Sequence, residues 1–117
     1  MEIYRQRGPD KVFKWKDITF HLRPRGLSGD KHDLIEMGEI DKNGKAFIPM
    51  NKFYRRAIEL FVKSWEGVTE DGKPVPFSME NLNSLPVENG DGDVIRELGA
   101  FIYNNCAQDL PEEKKKA

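Results

Sequence analysis

Few side chains in this sequence could do covalent chemistry. The chain has one cysteine, Cys106, and two histidines, His21 and His32. Nucleophilic catalysis needs a nucleophile, a base and a group that orients the base. Cys106 lies at the end of an apolar stripe, where a free thiol behaves as a small hydrophobe. His21 falls out of phase with the apolar residues around it, and His32 sits among polar ones. Neither is placed to act as a base. Zinc requires convergent Cys and His ligands at short spacing, which these three residues do not supply. The run Glu39-Ile-Asp41-Lys-Asn43-Gly44 looks like the start of a calcium loop, but Met50 stands where the bidentate acid should be. Asp91/Asp93 flank glycines and Glu112/Glu113 lie in a charged tail, so neither pair is set for acid–base work. No Gly-rich phosphate-binding run is present. The expectation is a protein that is not an enzyme, with no cofactor and no metal.

One pattern points to nucleic acid. Lys11, Lys14, Lys16, Arg23 and Arg25 interleave with Phe13, Trp15 and Phe20. Cations with exposed aromatics make a platform for single strands. The alternation itself, however, sends the aromatics toward a core and the lysines toward water. A net charge of −1 adds no general attraction. A small nucleic-acid-binding regulatory protein using these basic strands is therefore an alternative reading.

The elements that position these residues follow from periodicity. Residues 12–22 alternate with a period of two, which suits strands with one buried face. Lys16-Asp17 is either a tight turn or a break in a longer strand. Ser28 is placed to cap a short helix reaching about Met37, with Leu34, Ile35 and Met37 inward and Gly38 as its stop. Asp41-Lys-Asn-Gly44 is a turn. The clearest element is a helix over about 50–66, with Met50, Phe53, Tyr54, Ala57, Ile58, Phe61, Val62 and Trp65 on one stripe. Pro49 suits its start and Gly67 its end. Ser78 caps a short helix to about Leu85, and Asp91 or Asp93 caps a last helix whose stripe runs from Val94 to Cys106.

A length of 117 residues suits one domain, and 12 aromatics strengthen a core drawn from only 38% apolar residues. The expected fold is α+β: a small N-terminal β-hairpin or sheet packed against a central amphipathic helix and a C-terminal helix. The domain spans 1–111, with 112–117 a disordered charged tail. The single cysteine excludes an internal disulfide. The N-terminus has no signal-like apolar core, and no run approaches the ~20 apolar residues that span a bilayer, so a cytosolic location is expected. Residues 1–66 carry a net charge of +4 and residues 67–117 a net charge of −5, an asymmetry that favours head-to-tail contacts or an acidic partner for the first half. On the helix over 50–66, the side away from the stripe holds Arg55, Arg56, Glu59, Lys63 and one large apolar residue, Leu60. An apolar spot rimmed by charge marks a protein-binding site. Leu60 is thus the expected centre of a partner or self-association surface, with Arg55, Arg56 and Lys63 around it.

Residues 60–86 resemble a segment found in small proteins of tailed-phage and prophage tail modules, the tail assembly chaperones. The features that match are Trp65-Glu66-Gly67 at the end of a helix, the turn Asp71-Gly-Lys-Pro-Val-Pro-Phe-Ser78, and a short helix ending in Leu85-Pro86. The match covers about a quarter of the chain. It also has a purely structural reading, with Trp65 as an anchor, the prolines as stiffeners and Phe77 as a staple before the Ser78 cap. The resemblance implies a protein-binding factor in phage tail assembly, in the bacterial host cytoplasm. It implies the tape-measure or tail-tube protein as partner, with homo-oligomers also open. A structural phage tail or head–tail subunit is the neighbouring alternative.

Overall fold

The N-terminal alternation builds two strands, β1 (Lys11–Trp15) and β2 (Ile18–Leu22), paired antiparallel with Trp15 opposite Ile18 and Lys11 opposite Leu22. A computed structural model describes residues 10–86 and 93–106 of the chain. The cap candidate Asp91 and the 112–117 tail lie outside the described residues. Lys16-Asp17 is the tight turn, with Lys16 in the left-handed region at φ 53°. Ile18, Phe20 and Leu22 point to the buried face of the sheet, and Thr19 and His21 to the other.

Helix α1 (Ser28–Ile35) follows. Ser28 is its first residue rather than its cap. The Asp30 carboxylate secures the start instead, accepting the Leu27 N–H at 2.7 Å. The helix stops two residues before Met37, and Gly38 N–H donates to the Ile35 carbonyl at 2.9 Å. Leu34 is buried, but Ile35, expected inward, is exposed, because consecutive residues lie about 100° apart around a helix and nothing covers the next position. Strands β3 (Glu39–Ile40) and β4 (Ala46–Phe47) then form a hairpin. Its turn is held by the Asp41 carboxylate, which accepts the Asn43 and Lys45 N–H groups at 2.8 and 2.9 Å.

Helix α2 (Met50–Phe61) buries Phe53, Ala57, Ile58 and Phe61. Met50, expected on the same stripe, is exposed at the helix start, beyond the edge of the core. The helix expected to reach 66 ends at Phe61, and Val62–Glu66 is a strand, β5. Two things end it. Arg23 donates its backbone N–H to the Phe61 carbonyl and its Nε–H to the Leu60 carbonyl, both at 2.9 Å, taking up acceptors that a longer helix would use internally. The free edge of β2 also offers a ladder, on which Phe20 pairs with Trp65 and Thr19 with Glu66. Lys63 is the extra residue of a bulge in that ladder. The three-stranded antiparallel sheet has the order β1-β2-β5.

Gly67 therefore follows a strand, not a helix. It adopts φ 98°, and a Cβ there would stand 2.2 Å from the Asp17 carbonyl oxygen, so only glycine fits against the β1–β2 turn. A second hairpin, β6 (Thr69–Glu70) with β7 (Lys73–Pro74), leads to α3 (Met79–Asn83). Ser78 Oγ caps α3 by accepting the Asn81 N–H at 3.0 Å. Asp93 caps α4 (Val94–Asn105) by accepting the Ile95 N–H at 2.9 Å. The result is the α+β arrangement expected, with the core between the sheet, α2 and α4.

The α2–α4 crossing is close. A Cβ on Gly99 would meet Tyr54 Cβ and Cδ1 at 2.6 Å. Gly99→Ala is expected to push the helices apart and cost about 1–3 kcal/mol, as overpacking does. A urea midpoint equal to that of the unchanged protein would show that the helices do not touch there.

Candidate protein-binding surface

The solvent side of α2 is built by three elements. Met37, beyond the end of α1, and Met79, opening α3, flank a groove edged by Lys52, Arg55, Arg56 and Glu59 of α2. Arg56 is held by Asp33 of α1 at 3.2 Å and by Glu59 one turn along. The Glu59 hydrogen bond, outweighing partial burial, raises the Arg56 pKa above its ordinary value. Lys52 pairs with Glu39 at 2.6 Å, tying the β3–β4 hairpin to α2. Arg55 differs from both, because it donates to a neutral amide, Asn83 Oδ1, at 2.8 Å. Its charge is not neutralised by that bond. Methionines are flexible and polarizable, and suit a surface that adapts to an apolar anchor.

The four residues expected to form one binding site do not stay together. Arg55 and Arg56 line the groove, and Leu60 and Lys63 do not. Leu60 is half-buried and packs against the core, so Leu60→Asp would test the core rather than a surface. Lys63 lies on β5, where it pairs with Asp10 at 2.8 Å. The early end of α2 accounts for Lys63, since residues beyond Phe61 no longer continue the helical face, while Leu60 is still helical and is drawn in by its contact with the core.

Of the groups capable of covalent or acid–base chemistry, Cys106 is buried, His21 is hydrogen-bonded and His32 is exposed on α1. Cys106 is buried, and that burial pushes its thiol pKa up, with Lys11 and Arg23 offsetting only part. His21 bonds Glu66 at 2.6 Å on the outer face of the sheet. Among the described residues no three His, Cys, Asp or Glu side chains converge as a metal site. No helix among them is long and apolar enough to cross a membrane. The basic strands divide only in part as their alternation implies, because Lys11 shares the phase of Phe13 and Trp15 and donates to the Asn105 carbonyl of α4, and Arg23 is buried. Phe13, Trp15 and Phe20 face the core, with Phe13 stacked at 4.9 Å on Phe101 of α4, while Lys14 is exposed on the other face.

Two features escaped the sequence reading. Among the described residues, the well-exposed large apolar side chains other than Val12 fall between 35 and 50: Ile35, Ile40, Phe47 and Met50. The signal was present in the turn Asp41–Gly44 with Ile40 and Phe47 beside it, since strands of two residues cannot reach a core. The second feature is a groove between the β6–β7 hairpin and α3, with Val68, Val75 and Leu85 beside Glu70 and Glu80. Its parts are distant in sequence, and only the fold brings them together.

No protein-family model matches the chain, and no curated protein or solved structure matches it.

Proposed function

We propose that this chain is a non-enzymatic protein-binding factor of phage tail assembly, acting in the host cytoplasm with the tape-measure or tail-tube protein as its partner. The tail-module resemblance supports the setting through the Asp71–Ser78 turn and the short helix that follows it, although Trp65-Glu66-Gly67 closes a strand rather than a helix and α3 ends at Asn83, before Leu85-Pro86. The observation that carries the binding role is the groove on α2, where Met37 and Met79 flank Arg55, a cation that among the described residues bonds a neutral amide. An apolar anchor beside a carboxylate on the partner would satisfy both halves of that groove.

The test is capture of the tape-measure and tail-tube proteins encoded beside this chain. Arg55 is exposed, so Arg55→Glu should leave the thermal midpoint nearly unchanged while weakening capture about tenfold or more, as loss of a charge-assisted contact does. Failure of the unchanged protein to hold either candidate would overturn the proposal. Equal capture by Arg55→Glu would move the site off α2.

A further inference from the structure

Two other surfaces of the molecule complement each other. The first is the β3–β4 arm. Glu39 pairs with Phe47 and Ile40 with Ala46, so Ile40 and Phe47 lie on opposite faces of the hairpin. Both are exposed, Ile40 at 67% and Phe47 at 44%. A two-stranded hairpin this short is not stable by itself and gains from further contact. The β6–β7 hairpin has strands of the same length, yet carries only Thr69, Glu70, Lys73 and Pro74 at its exposed strand positions. Exposure alone therefore does not explain the large apolar side chains on the arm. The arm also presents two exposed lysines, Lys42 and Lys45, while its two acids are engaged within the molecule, Glu39 by Lys52 and Asp41 by the Asn43 and Lys45 N–H groups.

The second surface is the groove between the β6–β7 hairpin and α3. Val68, Val75 and Leu85 are half-buried there, and Glu70 and Glu80 are exposed. Among the described residues no Lys or Arg lines it, and Lys73, opposite Glu70 in the hairpin, is not among its walls. Arm and groove are separate places. Met79 and Asn83 of α3 face the Arg55 groove, while Glu80 and Asn81 of the same helix face this one.

We propose that the chain associates head to tail with further copies of itself, the β3–β4 arm of one copy entering the β6–β7/α3 groove of the next. Ile40 or Phe47 meets the apolar wall, and Lys42 and Lys45 meet Glu70 and Glu80. The charge of the whole sequence agrees, with +4 on residues 1–66 and −5 on residues 67–117. Seating the arm in the groove sets these halves against each other, and a contact repeated in one direction leaves a free arm and a free groove at the ends for further copies. This surface is distinct from the Arg55 groove and does not depend on the partner proposed above.

The experiment is sedimentation velocity from micromolar to millimolar protein at low salt, with two charge-reversed variants. One is Lys42→Glu/Lys45→Glu on the arm, and the other is Glu70→Lys/Glu80→Lys in the groove. All four positions are exposed, and circular dichroism with thermal midpoints checks that both variants fold. The unchanged protein should pass through dimers to larger species as concentration rises, and added salt should reverse this. Each variant alone should remain monomeric, because its arm and groove then carry the same sign. An equimolar mixture should associate again, since each variant's arm now opposes the other's groove. Ile40→Asp should also give monomers, separating the apolar contact from the charges. A monomer at every concentration would overturn the proposal, as would an assembly that stops at dimers, survives both reversals or is not restored by mixing. Capture of the tail protein by the monomeric variants reports on the Arg55 groove separately, so either idea can fail alone.

Discussion

Asp30→Ala is expected to lower stability by about 3–5 kcal/mol, the usual result of removing one partner from a buried ion pair. Asp30 and Arg23 are 6% and 5% exposed, and Arg23 Nη2 donates to Asp30 Oδ2 at 2.8 Å. The guanidinium also lies 4.5 Å from the centre of the Phe61 ring and donates to the Leu60 carbonyl. Without Asp30 this charge stays in the core with no carboxylate opposite it. The loss reaches three elements, because Asp30 also accepts the Leu27 N–H that starts α1. Replacing both partners by apolar residues, as in Arg23→Met/Asp30→Leu, should recover most of the loss, since it removes the stranded charge. Urea midpoints of the single and double variants measure both effects. A midpoint unchanged by Asp30→Ala would mean that water reaches Arg23.

Trp65→Ala should cost a similar amount, about 3–5 kcal/mol, by leaving a large cavity. Trp65 is 7% exposed and sits edge-on to Phe20 at 5.9 Å and to Phe77 at 5.2 Å. Its indole N–H donates to the Val75 carbonyl at 2.7 Å. Trp65→Phe keeps much of the apolar volume and loses that bond, so it should cost less, by an amount that includes about 1 kcal/mol for the bond. Equal losses for the two variants in chemical denaturation would show that the hydrogen bond, not the ring, does the anchoring. The geometry also gives the Trp65–Ser78 segment a structural role. Val75 N–H donates to the Val68 carbonyl at 3.0 Å, which folds the proline-rich turn back over the indole.

Much of this fold can be read in the sequence wherever a short-range pattern decides the outcome. The period of two in residues 12–22 gives β1 and β2, and the stripe from Phe53 to Phe61 gives α2. Ser78 and Asp93 mark helix starts through their own side chains. The reading fails where a distant partner decides. Trp65 fits the helical stripe as well as it fits a strand, and only the edge of β2 selects the strand. Arg23 reads as surface charge until Asp30 and the end of α2 surround it. The candidate surface divides in the same way. Arg55 and Arg56 were legible as the solvent side of a helix, but Met37 and Met79 reach that groove only through the packing of α1 and α3. Leu60 reads as exposed from the helical stripe alone, but it is half-buried because the side of α2 that packs on the core is wider than that stripe.

The passage from α2 to β5 has no connecting residue, since Phe61 ends the helix and Val62 begins the strand. This sets an order on folding. The β1–β2 hairpin closes across a two-residue turn and can form early, as local contacts do. The third strand joins the sheet only by bringing residues 62–66 back to residues 19–22, across α1, the β3–β4 arm and α2. Because β5 starts where the helix ends, the last turn of α2 and the pairing of β5 with β2 constrain the same stretch of chain. The Arg23 contacts to Leu60 and Phe61 then complete the helix end and the sheet edge together. Until that moment β2 has an open edge, and the newly made chain is most exposed to wrong strand pairing before its 62–66 segment arrives.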